Sequence, residues 1–191
     1  MSPGLIFVTV VVLWVTAEFV ILFVKRSHPA TATRDDRNSG LVIMLSLAIS
    51  PFLAGVASGA LRSFRMPGPI RPYAFWGGLA LIVIGFVIRL TAIFTLDRLF
   101  TVDVAIAKDH RVVDHGLYAI VRHPSYAGSL LSFLGLGFAF RNWASLAIVM
   151  IGAAIGIGYR IAVEEKVLTE ALGDDYRAYA ARTKRLIPGV F

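Results

Sequence analysis

Five apolar blocks, at about residues 3–24, 40–61, 73–96, 124–140 and 143–161, decide what this chain can fold into. Most come close to the roughly 20 residues that a helix needs to cross the hydrocarbon of a bilayer. Lipid offers no water to backbone N–H and C=O groups, so a spanning segment must satisfy them within itself, as a helix does. With 57% hydrophobic residues, 16% charged residues and a mean hydropathy of +0.74, 191 residues carry more apolar surface than one soluble core buries. The expected fold class is all-α: an integral membrane bundle of about five transmembrane helices with the bilayer as solvent.

The first block is broken only by Glu18 and closed by Lys25 and Arg26; lacking a basic leader and a small-residue cleavage site, it reads as a retained span. Residues 26–40 are the one linker-like stretch. Only Arg141 and Asn142 separate the last two blocks, so these should form a tight antiparallel hairpin.

The net charge of +7 would raise nucleic-acid binding in a soluble domain. Its distribution argues otherwise. With the N-terminus outside, the outer segments hold only Arg62, Arg65, Arg71 and Arg141, while most other basic residues fall inside. That bias predicts an N-out, C-in topology, with basic residues serving orientation and contact with anionic headgroups. Gly55, Gly59, Gly152 and Gly156 are expected to serve close helix packing. Glu18 and Arg89, near the inner ends of their spans, read as side chains that snorkel to the interface. The absence of cysteine excludes disulfides, thiolate metal sites and a cysteine nucleophile.

Two polar segments then fall on the cytoplasmic side. The first, residues 109–128, reads DHRVVDHGLYAIVRHPSYAG. Pro124 suits the first turn of a helix, with His123 at or near its cap, and helix N-termini favour anions. Taken alone, Arg122-His123-Pro124 reads as an interfacial anchor and Tyr118 and Tyr126 as belt aromatics. The second segment, residues 159–189, continues the last apolar block beyond the membrane, with Gly173 as a C-cap. Arg160 and Glu164, four apart, share a face. They form either a plain ion pair beside a solvated Glu165 or a polar wall able to hold one cationic and one anionic ligand.

Jointly, the pattern Gly116-x-Tyr118-x3-Arg122-His123-Pro124-x-Tyr126, a hydrophobic hairpin, Arg160-x3-Glu164-Glu165, Gly173-Asp174-x-Tyr176-x2-Tyr179 and Arg185-Leu186-x-Pro188 resembles the isoprenylcysteine carboxyl methyltransferase family, in its short prokaryotic form. The resemblance covers roughly residues 103–191; residues 1–100 match only as helical spans. It implies a division into N-terminal membrane helices (1–100) and a methyltransferase region (101–191) containing the cytoplasmic cofactor site, in a protein of the prokaryotic inner membrane. It also implies S-adenosylmethionine as cofactor, a lipophilic acceptor entering from the bilayer, no metal and no nucleic acid. By resemblance the cofactor falls to His110, the backbone around Val113, Tyr118, His123, Pro124, Ser125, Tyr126 and Glu164. Arg160 falls to the acceptor carboxylate and Glu165 to a carboxylate of the catalytic region. A glutamine of some members lies near Asp103, where this chain departs from the pattern.

Methyl transfer from a sulfonium needs neither metal nor covalent enzyme intermediate, so positioning carries it. A carboxylate acceptor is already ionised, and a planar guanidinium orients it. The GLG run at Gly135–Gly137 lies inside an apolar block and follows no strand, so it is not a nucleotide-binding turn. Other readings stay open. Phosphatidylethanolamine or a small thiol could be the acceptor, with His110 or His123 as base. A sterol-type reductase using NADPH would want more basic residues around the site, and a transporter or adaptor leaves the joint spacing of the two segments unexplained. His115 acquires no role.

Overall fold

A computed structural model describes residues 1–25, 34–100 and 111–189. Six α-helices occur in it: α1 (Pro3–Val24), α2 (Arg34–Ala60), α3 (Arg71–Leu96), α4 (Pro124–Ala139), α5 (Trp143–Leu172) and α6 (Asp174–Arg182). Among the described residues there is no strand, only two isolated bridges. The ends of the helices follow local chemistry. Ser2 caps α1 by accepting from the Leu5 N–H at 3.3 Å, with Pro3 as the first helical residue. Lys25 donates to the carbonyl of Asp97 at 2.8 Å, tying the end of α1 to the carboxyl end of α3. The linker-like stretch is shorter than its composition suggests, because α2 already begins at Arg34.

α1, the Gly40–Ala60 part of α2, α3 and α5 are long and apolar enough to cross a membrane. α4 is the exception among the five expected spans. Its 16 residues reach about 24 Å at helical rise, against a hydrocarbon thickness of about 30 Å. No residue of α4 is exposed.

Glycine sets how closely the helices approach. α4 lies mainly against α3, and α2 against α5. A Cβ added to Gly85 would stand 2.5 Å from the Gly128 carbonyl oxygen, and one on Gly78 would stand 2.5 Å from that of Gly135. These pairs lie seven residues apart on antiparallel helices, and between them Ser132 donates to the Ile82 carbonyl at 3.1 Å. On the other seam a Cβ on Gly152 would meet Ser50 at 2.4 Å, and Gly156 faces Ser46. Close backbone approach is what small residues provide where lipid gives helices no hydrophobic drive to associate. The expected packing role fits Gly152 and Gly156 but not Gly59, which has nothing within 4 Å, and Gly55 makes only an ordinary contact with Phe140. Spacing places glycines on one face without saying which face meets a neighbour.

The Arg141-Asn142 turn is a tight hairpin, with Arg141 in the left-handed region at φ 55°. Asn142 Oδ1 accepts from the N–H groups of Ala144 (2.9 Å) and Ser145 (3.2 Å), while its Nδ2 donates to the Leu61 carbonyl at 2.9 Å. One side chain therefore starts α5 and fastens the hairpin to the end of α2.

Glu18 and Arg89 do not snorkel separately. Arg89 Nε lies 2.8 and 2.9 Å from the two carboxylate oxygens of Glu18, and Nη1 donates to Ser125 Oγ at 2.8 Å. Both side chains are largely sheltered, 14% and 28% exposed, and a charge inside the membrane is stabilised by a nearby opposite charge. The pair links α1 to α3 and, through Ser125, to the first turn of α4.

Gly85→Ala is expected to destabilise the detergent-solubilised protein by about 1–3 kcal/mol, the usual cost of overpacking. Gly59→Ala should leave the thermal midpoint unchanged. Equal midpoints for the two variants would show that the α3–α4 seam tolerates side chains.

Candidate functional site

The two polar segments meet at the end of the bundle. Gly116, at φ 61°, opens a 3-10 turn (Gly116–Ala119) that buries Tyr118. His123 then caps α4, with Pro124 buried as its first helical residue. The chain following α6 runs beside this stretch: Arg122 and His123 donate from their backbone N–H groups to the carbonyls of Lys184 (2.7 Å) and Arg185 (3.0 Å), and Val121 bridges Lys184 in parallel. Tyr179 Oη donates to the Tyr118 carbonyl at 2.7 Å, fixing α6 over the 3-10 turn. Arg182 pairs with Asp114 at the rim.

A charged clasp lies beneath. Arg122 Nε donates to Glu165 Oε1 at 3.0 Å, and its Nη1 donates to the carbonyls of Ala180 (2.7 Å) and Thr183 (2.5 Å). Arg185 grips Glu165 from the other side, with Nε and Nη2 at 3.0 and 2.8 Å from Oε2. His123 Nε2 lies 3.3 Å from Glu165 Oε1. The hydrogen bond and charge of Glu165 raise the Arg185 guanidinium above its ordinary pKa. Arg122 is therefore more than an interfacial anchor: 11% exposed, it spends its donors on protein acceptors. Glu165 is not solvated, being 15% exposed and held by three side chains.

Beside the clasp opens a cavity. Its walls are Leu96, Leu99 and Phe100 after α3; Arg111, Val112 and Val113; Tyr118, Arg122, His123, Ser125 and Tyr126; Arg160, Glu164, Leu168 and Leu172 of α5; and Tyr176 and Tyr179 of α6. Tyr126 Oη donates to Glu164 Oε2 at 2.8 Å, and His123 Nδ1 lies 4.0 Å from Glu164 Oε1. Arg160 is buried at 3% exposure. In the first turn of α4, Pro124 has no N–H and Ala127 donates to the His123 carbonyl at 3.0 Å, which leaves the N–H groups of Ser125 and Tyr126 without an acceptor earlier in the helix, so that end of the cavity favours negative charge. Burial, with the charge of Glu164, pushes the Tyr118 hydroxyl far up, and burial pushes Tyr179 up to about 12. Both hydroxyls keep their protons near neutral pH, and Tyr179 donates its own to the Tyr118 carbonyl.

Of the residues that the resemblance singles out, Val113, Tyr118, His123, Ser125, Tyr126, Arg160 and Glu164 all line this cavity. Pro124 is buried behind it, setting the first turn of α4 without lining the space. Glu165 faces the clasp instead, since consecutive helical residues point about 100° apart. His110 lies outside the described residues. His115 is exposed, and its carbonyl accepts from the Tyr118 N–H at 3.2 Å, a turn-forming role. Sequence reasoning missed Arg89 behind Ser125, and it missed Leu168, Leu172 and Tyr176. The two leucines had a signal: continuing the Arg160–Glu164 step of four along α5 leads straight to them.

Comparison with known proteins places these residues in context. The model of the isoprenylcysteine carboxyl methyltransferase (ICMT) family matches residues 78–170. Protein-S-isoprenylcysteine O-methyltransferase B of Arabidopsis thaliana is 35% identical over 115 residues, covering 59% of this chain and 58% of that protein. A protein of Oryza sativa subsp. japonica, described as a probable protein-S-isoprenylcysteine O-methyltransferase, is 31% identical over 183 residues, covering 92% of this chain and 95% of its own. The solved structure of the eukaryotic intramembrane Ras methyltransferase ICMT superposes with a TM-score of 0.63 at 28% identity, covering 75% of this chain and 52% of that one. The chain thus spans little more than half the length of the Arabidopsis protein and of the solved structure.

Glu165→Gln should strand the Arg122 guanidinium and cost about 3 kcal/mol, the low end for breaking a sheltered ion pair. Arg177→Ala removes an exposed pair with Asp174 and should cost under about 1 kcal/mol. Thermal midpoints, with limited proteolysis of the segment after α6, report both; equal effects would mean that the clasp contributes no more than a surface pair.

Proposed function

The chain belongs to the isoprenylcysteine carboxyl methyltransferase family, and on that premise we propose that it is an S-adenosylmethionine-dependent integral membrane methyltransferase esterifying the carboxylate of an isoprenylcysteine-like lipophilic acceptor. The observation that carries this reading is the approach of Arg160 and Glu164, one turn apart on α5, to the first turn of α4 across a single cavity. Opposite charges a turn apart suit a site that must hold a cationic sulfonium and an anionic acceptor together.

The residues present fit such a cofactor. Glu164 offers a carboxylate to its positive groups, the first turn of α4 offers N–H groups to its carboxylate, and apolar walls lie alongside. Tyr176 Oη is buried and without a hydrogen-bond partner among the described residues, as a wall awaiting a ligand would be. The cofactor, when bound, supplies a methyl group on a positively charged sulfur. Val113, Tyr118, His123, Ser125, Tyr126 and Glu164 hold it, with Pro124 setting the turn. Tyr126, by donating to Glu164, fixes that carboxylate within the wall. Arg160, planar and buried, orients the acceptor carboxylate with two bonds and offsets its charge. The acceptor is ionised at neutral pH, so no side chain need remove a proton, and exclusion of water strengthens each of these contacts. Glu165 acts indirectly, by holding His123 and Arg122.

We assign the catalytic region to residues 101–191. The spans before it contribute through Leu96, Leu99, Phe100 and the Arg89 bond to Ser125. In this reading the site faces the cytoplasm, with the N-terminus outside, in a prokaryotic inner membrane.

Purified protein should bind S-adenosylmethionine in the micromolar range, about −8 kcal/mol, and transfer labelled methyl to prenylcysteine analogues in preference to phosphatidylethanolamine or thiols. Glu164→Gln should weaken cofactor binding, and Arg160→Ala should lower carboxylate turnover by about 10- to 100-fold at near-normal cofactor affinity, the cost of losing a charged hydrogen bond. NADPH binding in place of S-adenosylmethionine would sink the reading. Full turnover of a carboxylate acceptor by Arg160→Ala would sink the assignment of that arginine.

A further inference from the structure

A second cavity opens at the other end of the bundle, where α1 and α3 begin and α2 and α4 end. Pro3, Phe7, Ser58, Phe75, Phe140 and Arg141 line it. Its phenyl rings pack on one another, Phe7 lying 6.3 Å from Phe75 and 5.9 Å from Phe140 between centroids. The Arg141 guanidinium sits over the Phe75 ring, 5.2 Å from its centroid. That contact occupies one face of the guanidinium and leaves the N–H donors of its edge for other partners. Among the described residues the Arg141 side chain makes no hydrogen bond or ion pair.

The segment that follows α2 gathers three more arginines here. The Leu61 carbonyl accepts from Asn142 Nδ2, and Arg65 bridges Asn142. The Met66 N–H donates to the Arg141 carbonyl at 3.0 Å, and Arg71 Nε donates to the Met66 carbonyl at 2.7 Å. Arg62, Arg65, Arg71 and Arg141 are all exposed, and none forms an ion pair among the described residues. No Asp or Glu stands in residues 1–17, 37–96 or 115–163, so no carboxylate of this end neutralises them. Like charges held together in this way attract an anion from outside the chain.

The source of that anion follows from the surroundings. Tyr73, Trp76 and Trp143 are exposed at the same end, as the amphipathic aromatics of a membrane–water boundary are. Leu5, Val8 and Val12 of α1 are exposed alongside. A soluble phosphate has no use for phenyl walls. A phospholipid brings a phosphodiester for the guanidinium and hydrocarbon for the rings and the face of α1.

We propose that this cavity binds one anionic phospholipid of the leaflet opposite the site between α4, α5 and α6. Arg141 grips the phosphodiester, Arg65 and Arg71 add charge that favours a net negative headgroup over a zwitterion, and the first acyl carbons rest on Phe7, Phe75 and Phe140. The lipid thereby fastens the starts of α1 and α3 to the Arg141-Asn142 hairpin. The proposal is independent of the methyltransferase reading.

The test uses the full chain in neutral detergent, titrated with phosphatidylglycerol, phosphatidylcholine or inorganic phosphate, and reads thermal midpoints and native mass spectra. Phosphatidylglycerol should raise the midpoint and persist as a single bound molecule, because a ligand of the folded state alone stabilises that state. Arg141→Gln should weaken its apparent affinity about tenfold, or about 1.4 kcal/mol. Arg65→Gln should weaken it by a smaller factor, and it carries the test if Arg141→Gln does not fold. Arg177→Gln, at the opposite end of the bundle, should leave it unchanged. Equal binding of the two lipids, unchanged affinity in both Arg141→Gln and Arg65→Gln, or an equal loss in Arg177→Gln would each overturn the proposal. A midpoint raised as much by inorganic phosphate at the same concentration would overturn the assignment to a lipid.

Discussion

The carboxylate of Glu165 joins the separate pieces of the site. It takes Arg122 and His123 from the stretch before α4 and Arg185 from the chain after α6, and it is itself part of α5. Three elements far apart in sequence thus converge on one side chain. A largely sheltered carboxylate is tolerated where cationic donors meet its lone pairs, and removing a partner leaves an uncompensated charge. Backbone bonds from Arg122 and His123 to Lys184 and Arg185 run beside the ion pairs. With Glu165 occupied, its neighbour Glu164 is left to face the cavity, where it accepts a hydrogen bond from Tyr126. Of two adjacent glutamates on one helix, one holds the clasp and the other lines the cavity.

Within the apolar bundle, close contact between α3 and α4 takes over. The Gly78–Gly135 and Gly85–Gly128 contacts bring the two backbones together. That places Arg89 of α3 within reach of Ser125, one residue after Pro124 in the first turn of α4. Glu18 completes the arrangement by balancing the arginine from α1. The line Glu18–Arg89–Ser125 runs from the first helix to the cavity wall, so a polar feature in the apolar part of the chain is continuous with the site.

Much of this was legible in the sequence wherever the deciding interactions are local. Apolar length locates α1 at residues 3–24, the two-residue Arg141-Asn142 link announces a hairpin, and His123-Pro124 marks the start of α4. Step-of-four spacing puts Arg160 and Glu164 on one face. What escaped was decided by partners distant in the chain. Glu18 and Arg89 lie 71 positions apart, and Arg122 and Glu165 lie 43 apart; nothing in the spacing within either helix names the other. The same limit misassigned Gly59 and overlooked Gly85, since a glycine reports freedom from a side chain and not what stands opposite. Spacing left a solvated Glu165 open as one of two alternatives, because its actual partners, Arg122 and Arg185, belong to different segments.

α4 is shorter than the hydrocarbon is thick, yet none of its residues is exposed. Hydrophobic mismatch is felt where a helix touches lipid, and it is relieved by tilt or by local deformation of the bilayer. α1 meets that condition, with Trp14 its one buried residue. A thicker or thinner membrane therefore acts on the sheath of longer helices, while α4 takes its depth from α3 and α5. The turn that carries His123, Ser125 and Tyr126 is therefore set by packing between helices more than by the thickness of the lipid around them.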